Sequence, residues 1–178
     1  TAGLIALSGA RDGDVGRALL AGRDDDAQRA LEAWLALFGD RYYLELQRTG
    51  RPGDEECISG QLRLAVARGV PVVATNDVRF VSRDDFESHE ARVCIQEGVL
   101  LADAARPRRY SEEQYLRSPE EMTKLFADLP EALENSFEIA RRLNLEVRLG
   151  QPSLPAYPVP AGRSIEDHLR AEARAGLE

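Results

Sequence analysis

The stretch GVPVVATNDVR, residues 69–79, decides how the chain is read. Val70 to Thr75 is a short apolar run rich in β-branched residues, and it breaks at the polar pair Asn76-Asp77. A run of that length and content reads as a buried strand. Two more runs of the same kind stand toward the amino terminus, at Leu4–Leu7 and Tyr42–Leu46. Helical patterns lie between them. Asp25 to Phe38 has apolar residues at 27, 30, 31, 34, 35 and 38, a 3.6-residue stripe stopped by Gly39-Asp40. Asp54 to Arg68 places Cys57, Ile58, Leu62, Ala65 and Val66 on one face and ends at Gly69.

Strand, crossover helix and strand in alternation imply parallel pairing, with helices covering near-continuous apolar strands. Residues 1–80 are therefore expected to form successive βα units of an α/β sheet or barrel. Three strands cannot close a barrel, which usually takes about eight. If the fold is a barrel, its other strands lie upstream of Thr1.

The texture changes after residue 80. A helix is expected from Ser82 to Gly98, then a loop holding Arg106-Pro107-Arg108-Arg109, read as solvated because it is too short for a nucleic-acid patch. Ser118-Pro119-Glu120-Glu121 is a capping box opening a helix to about Ala127. Pro130 opens another that ends near Asn144. Residues 151–163 hold four prolines and read as an extended linker. The expected organisation is one domain over 1–150, the linker, and the helical start of a second domain over 164–178.

The 178 residues are 43% hydrophobic, enough for one sizeable core. No run approaches the roughly 20 apolar residues of a membrane-spanning helix. A net charge of −8 argues against a surface that grips nucleic acid over its whole face. Cys57 and Cys94 cannot make a four-cysteine zinc site and read as buried, reduced thiols.

Parallel α/β folds bind ligands at the carboxyl ends of their strands. Here those ends read Ser8-Gly9-Ala10-Arg11, Gln47-Arg48-Thr49-Gly50 and Asn76-Asp77-Val78-Arg79. A metal-dependent hydrolase needs His, Asp, Glu or Cys there. Asp77 qualifies, and Glu45 is the next candidate. Ala10, Thr49 and Arg79 cannot usefully hold a divalent metal. Arg79 repels a cation and is placed to pair with Asp77 instead. His89 and His168 have no second histidine at ligand spacing, and His89 reads as a hydrogen-bonded structural residue. There is no GxSxG, phosphate-loop or GxGxxG motif, and Gly13-Asp14-Val15-Gly16 reads as a helix start. The residues by themselves reach a soluble α/β piece, then helices, then a linker into another domain.

Five runs carry a further signal. They are LIALSGARDGDVGRALL, DRYYLELQRTGRP, GVPVVATNDVRFVSRDDFESHEARVCIQEG, RRYSEEQYLRSPEEMTKLFADLPEALENSFEIARRLN and RLGQPSLPAYPVP. In order and spacing they resemble the alpha subunit of bacterial DNA polymerase III, the replicative C-family polymerase, in its proteobacterial form. The resemblance covers essentially the whole chain. It implies that residues 1 to about 150 are the carboxyl-terminal portion of a PHP (polymerase and histidinol phosphatase) domain, a distorted (β/α)7 barrel with trailing helices. Its opening His-x-His element would lie upstream. The proline-rich linker would lead toward the polymerase palm, beginning within 164–178, with the palm's catalytic aspartates further downstream.

Metal-binding members of the family tend to carry Cys where this chain has Ala10, His where it has Thr49, and the His of an Asp-x-His pair where it has Arg79. Asp77 alone matches that last pair. The resemblance thus implies vestigial metal positions at Ala10, Thr49, Asp77 and Arg79, with no metal, other cofactor or catalytic residue in this stretch. It implies a cytoplasmic DNA-directed DNA polymerase (nucleotidyltransferase) of DNA replication that uses Mg elsewhere in its chain. The stretch itself is expected to be a silent scaffold docking the proofreading exonuclease subunit. Other replicase subunits are further partners, DNA is met through the rest of the polymerase, and no membrane is involved. The alternative is a metal-dependent phosphoesterase or 3′–5′ exonuclease that uses Asp77, Glu45 and upstream residues.

Overall fold

Strand β2 (Tyr42–Gln47) buries Tyr42, Tyr43, Leu44 and Leu46 on both of its faces, as a strand sandwiched by helices must. β1 (Ala6–Leu7) pairs with it in parallel, Ala6 opposite Tyr42. β3 (Val72–Thr75) pairs in parallel on the other side, from Leu44 opposite Val72 to Gln47 opposite Thr75. The order is β1-β2-β3. This computed structural model describes residues 3–146, 149–150, 152 and 155–177, so residues 151, 153 and 154 of the expected linker lie outside it.

Two strands are shorter than the apolar runs that announce them. Leu4 is exposed and unpaired in the sheet, and Pro71 has no N–H to donate. The Pro71 carbonyl still accepts from the Leu44 N–H at 3.0 Å, so the proline sits where only its acceptor is needed.

Helix α1 (Asp14–Leu20) grows from the Gly13-Asp14-Val15-Gly16 segment, a helix start as its sequence suggests. The glycines have a steric reason. A Cβ on Gly13 would collide with the Ser8 carbonyl, and one on Gly16 with the Ala10 carbonyl. The helix can therefore lie directly against the turn that leaves β1. It packs on α2 (Asp24–Phe38) and α3 (Asp54–Arg68). Leu31 of α2 is fully buried, and Trp34 stacks on Tyr42 with ring centroids 6.0 Å apart. α3 stops at Gly69, whose left-handed φ of 64° suits glycine.

A tight turn at 83–85 precedes α4 (Phe86–Glu97), so the expected helix begins four residues late. The Asp85 carboxylate holds that turn by accepting from the Ser82 N–H and hydroxyl, both at 2.9 Å. α5 (Pro119–Leu125) has the capping box read from sequence: the Ser118 N–H donates to Glu121 at 2.8 Å, and the Glu121 N–H donates back to Ser118 Oγ at 3.2 Å. α6 (Pro130–Arg142) lies on β3, where Asn135 donates to the Val72 carbonyl at 2.8 Å.

The core between the sheet and these helices centres on Leu31, Leu44, Leu46, Ile58 and Phe126. Full burial of each such side chain contributes about 1.5–3 kcal/mol. The chain divides into two compact units, Thr1–Leu143 and Asn144–Glu178. The second carries α7 (Ile165–Ala175), capped by Ser164, whose Oγ accepts from the Asp167 N–H at 3.1 Å. Among the described residues no helix is long and apolar enough to cross a membrane.

Candidate functional site at the strand ends

Parallel pairing carries three loops, far apart in sequence, to one edge of the sheet. The loop after β2 is organised by Asp54, the first residue of α3 and only 6% exposed. Its Oδ2 accepts from the Thr49 N–H at 2.8 Å, the Thr49 hydroxyl at 2.9 Å and the Arg51 N–H at 3.2 Å. Its Oδ1 accepts from Arg11 Nη1 at 2.8 Å. Four donors therefore converge on one carboxylate, two of them backbone. Arg11 also donates to the Pro52 carbonyl, tying the β1 loop to the β2 loop. Thr49 is fully buried, and its carbonyl accepts from the Ser111 hydroxyl.

The loop after β3 is organised by Asp77. Arg79 Nη2 lies 2.7 Å from its Oδ1, and Gln114 Nε2 donates to its Oδ2 at 2.7 Å. Arg51 approaches the same Oδ2 at 3.5 Å. The Arg79 N–H donates to the Gln114 carbonyl, and the Leu116 N–H donates to the Phe80 carbonyl, so residues 79–80 dock on 114–116. Asn76, itself buried, donates to the carbonyls of Glu113 and Tyr115.

Ala10 and Asp77 share an unusual backbone, with φ of 45° and 43°. Non-glycine residues enter this left-handed region only where surroundings hold them there. Two of the four positions singled out in sequence are thus strained positions at strand ends.

The donor set does not suit a divalent cation. Ala10 offers no ligand atom. The Thr49 hydroxyl is spent on Asp54, Arg79 brings positive charge, and both Asp77 oxygens accept from cationic or amide groups. Glu45 accepts from the Thr75 hydroxyl at 2.5 Å and from Gln47 at 3.1 Å. Among the described residues, no three His, Cys, Asp or Glu side chains gather in a group that could hold a metal ion. Cys57 and Cys94 are buried free thiols. Burial pushes the Cys57 thiol up to about 11, with Arg11 opposing the shift and Asp54 adding to it. A thiol held neutral is neither a good ligand nor a good nucleophile.

Two readings from sequence need correction. No hydrogen bond holds His89: its buried Nδ1 has no partner among the described residues, and the ring is held by aromatic neighbours. Tyr110 meets it edge-on at 4.7 Å and Phe80 tilts against it at 5.4 Å. Nor is the Arg106–Arg109 loop wholly solvated. Arg106 is buried and pairs with buried Glu90 at 2.6 Å, also donating to the Leu101 carbonyl. A basic residue in a loop reads as solvated only until a buried acid, sixteen residues away, claims it.

Sequence reasoning missed Asp54, Arg51 and Gln114. Asp54 opens a helix in company with Glu55 and Glu56, where acids are ordinary, and nothing local marks it as the buried one. Gln114 acts 37 residues away in sequence from Asp77.

The strands are parallel and crossed by helices, with polar groups gathered at their carboxyl ends, and a family profile described as "PHP domain" matches residues 1–49. The chain is 53% identical to "DNA polymerase III subunit alpha" of Pseudomonas aeruginosa over 99% of its own length and 15% of that protein's. The Escherichia coli (strain K12) subunit of the same name gives the same figures. That of Vibrio cholerae is 51% identical, again over 99% and 15%. Over essentially its whole length the chain is similar to these bacterial DNA polymerase III alpha subunits, and it spans about 15% of their length.

Proposed function

We propose that this segment is a metal-depleted, catalytically silent PHP scaffold within a replicative DNA polymerase. It would form part of a distorted (β/α)7 barrel completed by strands outside the sequence in hand. DNA-directed DNA synthesis, with its Mg and its contact to DNA, belongs to the rest of such a polymerase. The segment's own task is to present a docking surface to the proofreading exonuclease subunit and other replicase subunits. One observation carries the silent reading: Asp77, the acid matching an Asp-x-His pair, is held 2.7 Å from the guanidinium of Arg79. A fixed positive charge at that spot disfavours a second cation electrostatically. The Asp54 cluster supports it further, because it ties the β1 and β2 loops together as metal ligation would. The docking half of the proposal rests on the relationship to the polymerase subunits.

The test is a titration of the intact protein with Zn2+ and Mn2+, read by metal analysis after gel filtration and by phosphoesterase turnover. Substoichiometric metal and no turnover are expected. Stoichiometric metal with turnover would establish the phosphoesterase or exonuclease alternative. Co-elution with the purified exonuclease subunit tests docking, and separate elution would remove that part.

A further inference from the structure

Residues 99–110 run from the end of α4 to Tyr110 without forming a helix or strand. A loop of about a dozen residues with no regular structure is uncommon in a compact fold and usually has a task. The segment lies along α4, whose main neighbour among the other elements is the short turn at 83–85. Yet α4 buries His89, Glu90 and Cys94. Glu90 and Cys94 are four positions apart and share one face of the helix. Arg106 covers that face. Its Nη1 lies 2.6 Å from Glu90 Oε2, and it is near enough to Cys94 to interact with it electrostatically. At the far end of the segment, Tyr110 meets His89 edge-on at 4.7 Å.

The segment is held differently from the rest of the fold. Among these described residues Arg106 alone is buried, and Leu100 is 77% exposed. The turns of the segment are closed from within. The Asp103 N–H donates to the Leu100 carbonyl at 3.0 Å, the Ala105 N–H to Asp103 Oδ1 at 2.9 Å, and Arg106 Nε to the Leu101 carbonyl at 3.2 Å. Those bonds travel with the segment if it moves. Charge ties it to α4: the Arg106–Glu90 pair, with side chains 6% and 5% exposed, and the rim pair Arg109–Glu97 at 3.2 Å. Apolar cover resists local opening through many small contacts, whereas one ion pair is lost in a single step. Closure also leaves His89 Nδ1 buried with no partner among the described residues, a polar atom that water would satisfy. Gly98, with a φ of 68°, bounds the segment on one side. Ser111, whose hydroxyl donates to the Thr49 carbonyl, bounds it on the other.

We propose that residues 99–110 form a strap that opens from α4 as a unit while the core stays folded, with Arg106–Glu90 as its latch. Opening uncovers Glu90 and Cys94 and lifts Tyr110 from His89. It also reshapes the strand-end cleft, where Arg108 and Arg109 of the strap join Arg11, Arg51 and Arg79. The strap goes beyond the silent-scaffold reading and does not depend on it.

The experiment is N-ethylmaleimide labelling of the intact native protein at a series of low urea concentrations, with each cysteine followed by peptide mass spectrometry. Cys57, buried on α3, is the internal reference. Opening a strap exposes little surface, so the Cys94 rate should change little with urea. Cys57 is reached only when the core unfolds, and its rate should climb steeply. Without urea, Cys94 is expected to label about tenfold faster than Cys57 or more, where tenfold is 1.4 kcal/mol. Arg106→Ala strands the buried Glu90 charge and should raise the Cys94 rate about tenfold or more again, with Cys57 changed less than about threefold. Arg109→Ala removes only the exposed pair and should change the Cys94 rate less than about threefold. Should Arg106→Ala fail to fold, the urea series on the unaltered protein decides the question. Equal urea slopes at the two thiols, a Cys94 rate as slow as that of Cys57, or equal acceleration of both by Arg106→Ala overturns the strap. Metal-dependent phosphoesterase turnover would sink the silent reading and leave the strap standing.

Discussion

The loops after β2 and β3 solve the same problem in different ways. Each must fix a carboxylate at a strand end beside several arginines. After β2, Asp54 is buried and saturated, and three of its four donors come from residues within five positions in the chain. After β3, Asp77 sits in a left-handed backbone, and its amide donor comes from Gln114, 37 residues on. Its arginine partner, Arg79, is 42% exposed. In the first loop the carboxylate itself is closed in by local donors and nearly buried. The second depends on the docking of a distant segment and stays open to a cleft. Charge held by near neighbours becomes framework, while charge held at the rim remains available to a ligand.

That contrast predicts a ranking of effects. Asp54→Ala strands the Arg11 charge and orphans three further donors. It should cost about 3–5 kcal/mol in urea unfolding, the range for breaking one side of a buried pair. A loss below about 1 kcal/mol would show that the β2 loop is no more a framework than the β3 loop. Gln114→Leu removes the distant support of Asp77 from a fully buried position. It should cost about 1–3 kcal/mol and raise amide exchange at Arg79, whose N–H donates to the Gln114 carbonyl. Exchange that rises equally at Thr49 would erase the distinction between the loops.

Asp77→Asn should change stability by only about 0–1 kcal/mol, because its ion pair with Arg79 is partly solvated. A large stability loss would place Asp77 with Asp54 as framework. The smallest effect concerns His89, behind Tyr110. Burial first, and the Arg92 charge second, lower its pKa, with Glu90 opposing and Arg79 adding to the shift. The unfolded chain then takes up a proton near pH 6.5 that the folded chain refuses. Stability is full above that range and is lost as pH falls through it. The slope between about pH 7.5 and about pH 5.5 should be shallower in His89→Phe, and an unchanged slope would assign it to other groups.

The β2 and β3 strand ends, and the Asp77–Arg79 pair, were legible because each is written within a few residues. An apolar run breaking at Asn76-Asp77 marks where a strand stops, and an arginine two positions on can fold back onto the acid. The Ser118 capping box is local in the same sense. Asp54 was illegible beside Glu55 and Glu56 because all three share one local pattern, and burial alone separates them. Arg106 was misread for the same reason, since its solvation is decided by Glu90.

Sequence alone determined the alternation of apolar strands and crossover helices, and with it parallel pairing and the edge where ligands would sit. Periodicity and turn chemistry are short-range properties, readable wherever the chain is written down. Tertiary structure alone decided which carboxylate gathers the donors, which arginine is buried, and that five guanidinium groups share one cleft. Those outcomes depend on loops brought together across the sheet, where burial and electrostatics act between residues the sequence keeps far apart.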